Sequence, residues 1–200
     1  MILLLDLETS AVERLAKQYG PIVGQLQTPR HQYVPPAKLA YAADNAAYSG
    51  FDAAAFARMV SRIRRLGHCK WVAAPDVVGN ARLTLDAFRH WYPQMEGLPI
   101  ALVAQDGLED CEIPWGLIDA VFVGGSTAWK MSHAADEVVD AAKIIGKWVH
   151  VGRVNSIKRM HHFISRGIDS IDGSGNSTNR RQRAYMLRAL KAASQSPLFG

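Results

Sequence analysis

The chain has 200 residues, 48% of them apolar, and a formal charge of +5, which suits one globular domain with a sizeable core and excludes a disordered chain. No apolar run approaches the roughly 20 residues of a membrane span, and MILLLDLETS is too short in its apolar part for a signal peptide, so a soluble cytoplasmic protein with no membrane partner is expected. Cys69 and Cys111 belong to no CxxC pair, which argues against a disulfide scaffold and a cysteine zinc site.

In chain order, residues 1–5 predict a strand, Ser10 an N-cap, and residues 11–19 a helix stopped by Gly20 and Pro21. A short strand follows at 22–26. Residues 28–37 hold Pro29, Pro35 and Pro36 and read as a loop on the pocket side. Further strands are predicted at 39–43, 71–74, 100–104, 120–123, 148–151 and 168–171. Helices are predicted at 51–66, at 80–91 before Pro93, at 128–145 before Gly146, at 156–165 before Gly167, and at 179–193. Residues 173–179 read as a Gly/Ser/Asn loop. No helix separates the second and third strands, and the return after Gln105 is irregular.

Eight strands alternating with helices predict an α/β fold, a single compact (β/α)8 TIM-barrel-like domain over residues 1–200. A doubly wound open sheet is the alternative. In a barrel, every strand ends on the face where active sites are built. Asp6, Asp44, Asp76, Gln105, Gly124-Gly125, Gly152-Arg153 and Asp172 follow the apolar runs, so carboxylates distant in sequence are expected to converge. A strand-end Asp also serves as an ordinary helix cap or turn former. Carboxylates sharing a pocket repel one another, which separates an ionised group from one able to exchange a proton.

Gly124 and Gly125 let the backbone approach a ligand closely. Gly173-Ser174-Gly175 matches no Walker loop, because no Lys-Ser/Thr follows. The histidines form no metal set; His150 lies in the strand leading to Gly152-Arg153 and is a candidate for the pocket wall. Beyond Lys147 the chain is strongly basic, against only Asp169 and Asp172. That reads as a solvated face or as a phosphate-binding surface, with Arg153, Arg180, Arg181 and Arg183 near strand and loop ends.

From Leu39 to Asp172 these strand ends resemble the queuine/archaeosine tRNA-guanine transglycosylase superfamily. They look closest to its shortened DNA-modifying branch, the DpdA-like 7-deazaguanine transglycosylases of bacteriophages. Asp44-Asn-Ala-Ala-Tyr48 stands where the family has Asp-Ser-Gly-Gly, and Ala74-Pro75-Asp76 resembles its guanine-recognising Asp. Gln105-Asp106-Gly107 is similar to the family's Gln-Gly-Gly, and Gly124-Gly125 to its next glycine pair. Gly167-Ile168-Asp169-Ser170-Ile171-Asp172 has the spacing of the family's Gly-Ile-Asp-x-Phe-Asp, whose last Asp attacks the sugar.

The resemblance implies Asp172 as nucleophile, with Asp169 as the competitor, and Asp44 as acid/base. It implies Asp76, Gln105, Gly124, Gly125 and His150 as base-binding, and Arg153, Arg180, Arg181 and Arg183 as DNA-binding. The implied partners are DNA and a 7-deazaguanine such as 7-cyano-7-deazaguanine, with no metal or redox cofactor, in the host cytoplasm if phage-encoded. The three-cysteine, one-histidine zinc module of the tRNA enzymes cannot be built from this chain. Two other readings stand beside it: a tRNA-guanine transglycosylase-like enzyme, and a non-catalytic nucleic-acid-binding barrel. A Schiff-base aldolase lacks its strand-end lysine, since Lys130 is placed in a helix.

Overall fold

Eight parallel strands close into a barrel in chain order: β1 Ile2–Leu5, β2 Val23–Gln27, β3 Tyr41–Ala43, β4 Val72–Ala73, β5 Ile100–Ala104, β6 Ala120–Val123, β7 Trp148–Val151 and β8 Ser170–Ile171. Closure pairs Ile2 with Ser170 and Leu3 with Ile171, which rules out the open sheet. The structure, a computed structural model, describes residues 1–31 and 33–195. The helices are α1 Thr9–Tyr19, α2 Ala53–Leu66, α3 Ala81–Met95, α4 Thr127–Lys130, α5 His133–Ile144, α6 Ile157–Ser165, α7 Ser174–Thr178 and α8 Arg180–Ser194. Among the described residues none is long and apolar enough to cross a membrane.

Strand side chains alternate between two environments. Leu3, Leu5, Leu102, Val121, Val149 and Ile171 point outward and pack with helix residues such as Phe56, Phe88, Val138, Phe163 and Leu187. Leu4, Leu26, Ala42, Trp71, Ala73, Ala101, Val103, Ala120 and Phe122 point inward and form a separate core in the lumen. Small inward residues make room for large ones: Ala42, Ala73, Ala101 and Ala120 are wholly buried in the space that Trp71 and Phe122 fill.

Several local expectations need correction. Ser10 is not the cap of α1; the helix begins at Thr9, and Glu8 at the cap position makes no side-chain bond there. The Gln25 amide of β2 instead donates to Leu7 O and Thr9 Oγ1, fixing the entry to the helix. Pro93 does not stop α3, which runs to Met95. It lies in the last turn, where the missing N–H removes one bond and the helix ends two residues later. The single helix expected at 128–145 is two, because Ser126 caps α4 and Ser132 caps α5 by accepting the N–H of Trp129 and Ala135. Residues 174–178 are the short helix α7 rather than a loop. Among the described residues the β2–β3 connection has no helix, and only two 3-10 turns, Leu108–Asp110 and Trp115–Leu117, lie between β5 and β6.

Gly24 shows how closely the lumen is filled. A Cβ there would lie 2.7 Å from both Ala40 O and Leu4 Cδ2. Gly24→Ala is expected to destabilise the fold by about 1–3 kcal/mol through overpacking. Urea denaturation of the variant against wild type checks this; an unchanged midpoint contradicts the packing account.

Candidate active site

The inward alternation continues past the strand ends. Leu4 leads to Asp6, Ala42 to Asp44, Val103 to Gln105, Phe122 to Gly124, and Ser170 to Asp172. The second residue of each pair, with Asp76, Gly152 and Arg153, lines one cavity of about 390 Å³ at the C-terminal face of the barrel. Its rim adds Arg30, His31, Tyr48, Val78 and the α7 residues Ser174, Ser177 and Thr178. Glycine is required at two wall positions. A Cβ on Gly124 would lie 2.7 Å from Val103 Cγ1, and one on Gly152 would lie 2.5 Å from Phe122 Cε2.

Asp44 follows β3 directly. Its Oδ1 accepts the N–H of Ala46 at 3.3 Å, and Ala46 takes a left-handed conformation to present it. Burial pushes the Asp44 carboxyl up to about 7, and the neighbouring Asp172 and Asp76 carboxylates push in the same direction. A group so poised gives and takes a proton near neutrality. Asp172 is held differently: its Oδ1 accepts the backbone N–H of Arg153 at 2.7 Å. Arg153 is itself left-handed, a conformation uncommon for a residue with a side chain.

The Arg153 guanidinium turns into the wall. It donates to Gly124 O and, at 2.6 Å, to Gly125 O, and its centre lies 4.5 Å from the Tyr48 ring. Beneath it the buried Lys130 amine donates to Gly152 O at 2.6 Å. Burial and the charge of Arg153 push that amine down to about 7. Lys130 closes α4 rather than starting a helix, and the described lining residues include no lysine.

Asp76 is fixed by two amides. Asn45 Nδ2 donates to its Oδ1 at 2.8 Å and Gln105 Nε2 to its Oδ2 at 2.6 Å. Burial holds its carboxyl above the ordinary range, with both amides and Arg153 pulling the other way. Gln105 also accepts the Gly79 N–H on its Oε1, so it is an internal brace as much as a wall residue.

Other expected positions move. His150 does not line the cavity. It is wholly buried in the lumen, one inward step below Gly152, between Trp71 and Phe122. Gly125 is also absent from the wall, because it faces Asp106 after β5 and Trp129 of α4. Arg183 is not a free cation: it donates to Asn176 O and Ser177 O at the end of α7. Arg180 and Arg181 are exposed at the start of α8, directly after the rim residue Thr178 and the capping Asn179. Asp169 lies away from the cavity. Its carboxylate accepts Lys143 Nζ at 2.9 Å and Val149 N–H at 2.7 Å, at the opposite end of β8 from the cavity.

Sequence reasoning missed Asn45, which braces Asp76 from beside Asp44 and was signalled only by that adjacency. It also passed over the pair of Asp6 and His31, whose Nδ1 lies 3.0 Å from Asp6 Oδ2 at the rim. Asp6 carried the same strand-end signal as Asp44. Among the described residues no group of three or more His, Cys, Asp or Glu is placed to hold a metal ion.

The raised Asp44 value has a consequence for stability. The folded protein keeps a proton that the unfolded chain releases above about pH 4, so this contribution is full below that pH and is lost as pH rises through about 7. Asp44→Asn is expected to flatten that decline and to gain on the order of a few kcal/mol over wild type at about pH 8. Denaturant midpoints of both proteins at about pH 5 and about pH 8 check it; parallel pH dependences contradict it.

No protein-family model and no curated protein matches the chain. Among solved structures it is similar to the HpcH/HpaI aldolase of Desulfitobacterium hafniense DCB-2, with 13% identity and a TM-score of 0.53, covering 99% of this chain and 93% of that one. It is similar too to a 3-hexulose-6-phosphate synthase, with 13% identity and a TM-score of 0.50, covering 96% of this chain and 99% of that one. At this identity the likeness is one of fold, and the chain is a compact (β/α)8 TIM barrel.

Proposed function

We propose that the protein is an enzyme, a guanine/7-deazaguanine transglycosylase that replaces guanine in DNA through a covalent aspartyl-sugar intermediate. The observation that carries this reading is the pairing of Asp44 and Asp172 in one cavity, the first poised to hold a proton and the second held by a backbone N–H.

Asp172 attacks C1′ of a deoxyguanosine. The C1′–N9 bond breaks, its electron pair leaves with guanine, and Asp44 gives the departing base a proton. The aspartyl ester then meets an incoming 7-deazaguanine such as 7-cyano-7-deazaguanine. Its N9 attacks C1′ as N9–H passes its proton to Asp44, and Asp172 is released as carboxylate. Two displacements retain the sugar configuration, as in retaining glycosidases, with a base in place of water. Asp76 and the Gly124 backbone offer acceptors and close approach for a purine-like edge. A cavity of about 390 Å³ accepts a flipped nucleotide rather than a stacked one.

The lining favours this over a Schiff-base aldolase, because the buried Lys130 amine is bonded to Gly152 O. The deciding experiment is mass spectrometry of nucleosides from DNA, and in parallel tRNA, incubated with the protein and 7-cyano-7-deazaguanine. Modified deoxynucleoside supports the reading; modification of tRNA alone moves the substrate, and neither overturns it.

Asp172→Asn is expected to abolish covalent capture of DNA. Asp44→Asn is expected to slow exchange by about 100- to 10,000-fold through lost proton transfer. Trapping on denaturing gels and single-turnover rates read the two effects; near wild-type exchange by Asp172→Asn excludes it as nucleophile.

The DNA backbone is expected to lie against Arg180 and Arg181, which follow the rim helix α7 and are free of the bonds that occupy Arg183. Arg180→Ala with Arg181→Ala should weaken oligonucleotide binding and lower the salt slope by about two. Equal affinities and slopes across a salt series remove this surface from the binding model.

A further inference from the structure

His150 is a wholly buried polar side chain that the base-exchange chemistry does not use. Its ring is clamped by Trp71, with centroids 4.5 Å apart, and by Phe122, edge to face at 4.6 Å. Nδ1 lies 2.9 Å from Ser170 Oγ. Nε2 has no hydrogen-bond partner and lies 3.8 Å from Asp172 Oδ1.

The supply of protons along this line fixes the tautomer. Trp148 Nε1–H is a donor only, and it donates to Ser170 Oγ at 2.9 Å. The Ser170 hydroxyl then has its own proton left to give, and His150 Nδ1 is its acceptor. An unprotonated Nδ1 places the ring proton on Nε2, which faces the carboxylate. The opposite tautomer would crowd two N–H groups on Ser170 and aim a lone pair at Asp172. Burial holds the imidazole below its usual range and so keeps it neutral, with Asp172 pulling the other way.

We propose that His150 is a positioning residue for Asp172. The line Trp148–Ser170–His150 fixes an Nε2–H that, with the Arg153 N–H, holds Asp172 Oδ1 and leaves Oδ2 to attack the sugar. The kinetic half of this rests on the reading of Asp172 as nucleophile; the tautomer and the orientation of the carboxylate do not. At 3.8 Å the contact exceeds a hydrogen bond. A buried N–H dipole aimed at a carboxylate still favours the anion where little water intervenes.

The first test is spectroscopic. Long-range proton–nitrogen correlation on histidine-labelled protein is expected to show His150 as the neutral Nε2–H tautomer near neutral pH; the Nδ1–H tautomer overturns the proposal. In aspartate-labelled protein, the Asp172 carboxyl carbon, assigned with Asp172→Asn, should shift in His150→Phe and return in His150→Gln, which restores an N–H near Nε2. An unmoved resonance in His150→Phe overturns the proposal. If His150→Phe does not fold, His150→Gln and Ser170→Ala carry the comparison, and Ser170→Ala alone should move the resonance.

The kinetic test uses the same variants at saturating DNA. His150→Phe should lower kcat for exchange by about 3- to 10-fold, less than the loss of a full hydrogen bond to a charged group, with KM for DNA unchanged. His150→Gln should recover most of it, and equal rates for the two variants overturn the kinetic half. Absence of exchange in the wild type overturns the base-exchange reading instead, and the spectroscopic result then decides the orientation of Asp172 by itself.

Discussion

Strict alternation along eight short strands is the constraint on which the site depends. Trp71, Phe122 and His150 fill the lumen together, and their bulk is accommodated by the small inward alanines of β3 to β6. Phe122 carries that plug up to the cavity, which it lines with Leu26 and Val103. On β3, β5, β6, β7 and β8 the inward residue after the plug then becomes a wall residue, giving Asp44, Gln105, Gly124, Gly152 and Asp172. A register slip of one residue would turn every one of these side chains outward. The glycines belong to the same logic, because only hydrogen fits where the wall meets Phe122 and Val103.

The electrostatics follow from crowding acids in such a place. Four carboxylates line the cavity: Asp6 faces His31, and the other three are each handled by a different device. Asp76 is tied by two amides, Asp172 by a backbone N–H from a left-handed arginine, and Asp44 by a raised proton affinity. The cations close by are committed rather than mobile. Arg153 is bonded to two carbonyls and Lys130 to one, so they brace the β6 and β7 ends while offsetting negative charge.

The strands and their polar ends were legible in the sequence because a parallel barrel writes them as apolar runs with a fixed stop. That is why Asp44, Asp76, Gln105, Gly124 and Asp172 were found together. The errors have a common origin in contacts distant in sequence. The start of α1 is decided by Gln25, and Arg183 is taken by the carbonyls of α7. Gly125 follows the wall residue Gly124 and alternation turns it toward α4, whereas His150 shares the inward face of the wall residue Gly152 but lies one step deeper, in the lumen. Asp169 and Asp172, which spacing does not separate, are separated by the fold: Lys143 binds the former at the far end of the strand, and the latter lines the cavity.

Barrel closure gives the site a place in time as well as in space. Asp172 extends β8, which pairs with β1, and the rim bond from Asp6 N–H to Ser177 Oγ joins residues 171 positions apart. On the ribosome, Asp44 emerges long before the strand that carries its counterpart. Until β8 leaves the exit tunnel and docks against β1, the acids of the cavity have no common enclosure and Asp172 has no Arg153 N–H to receive. A nascent barrel therefore has no complete pocket until its eighth strand is in place, and the long-range closing step is the one that high contact order makes slow.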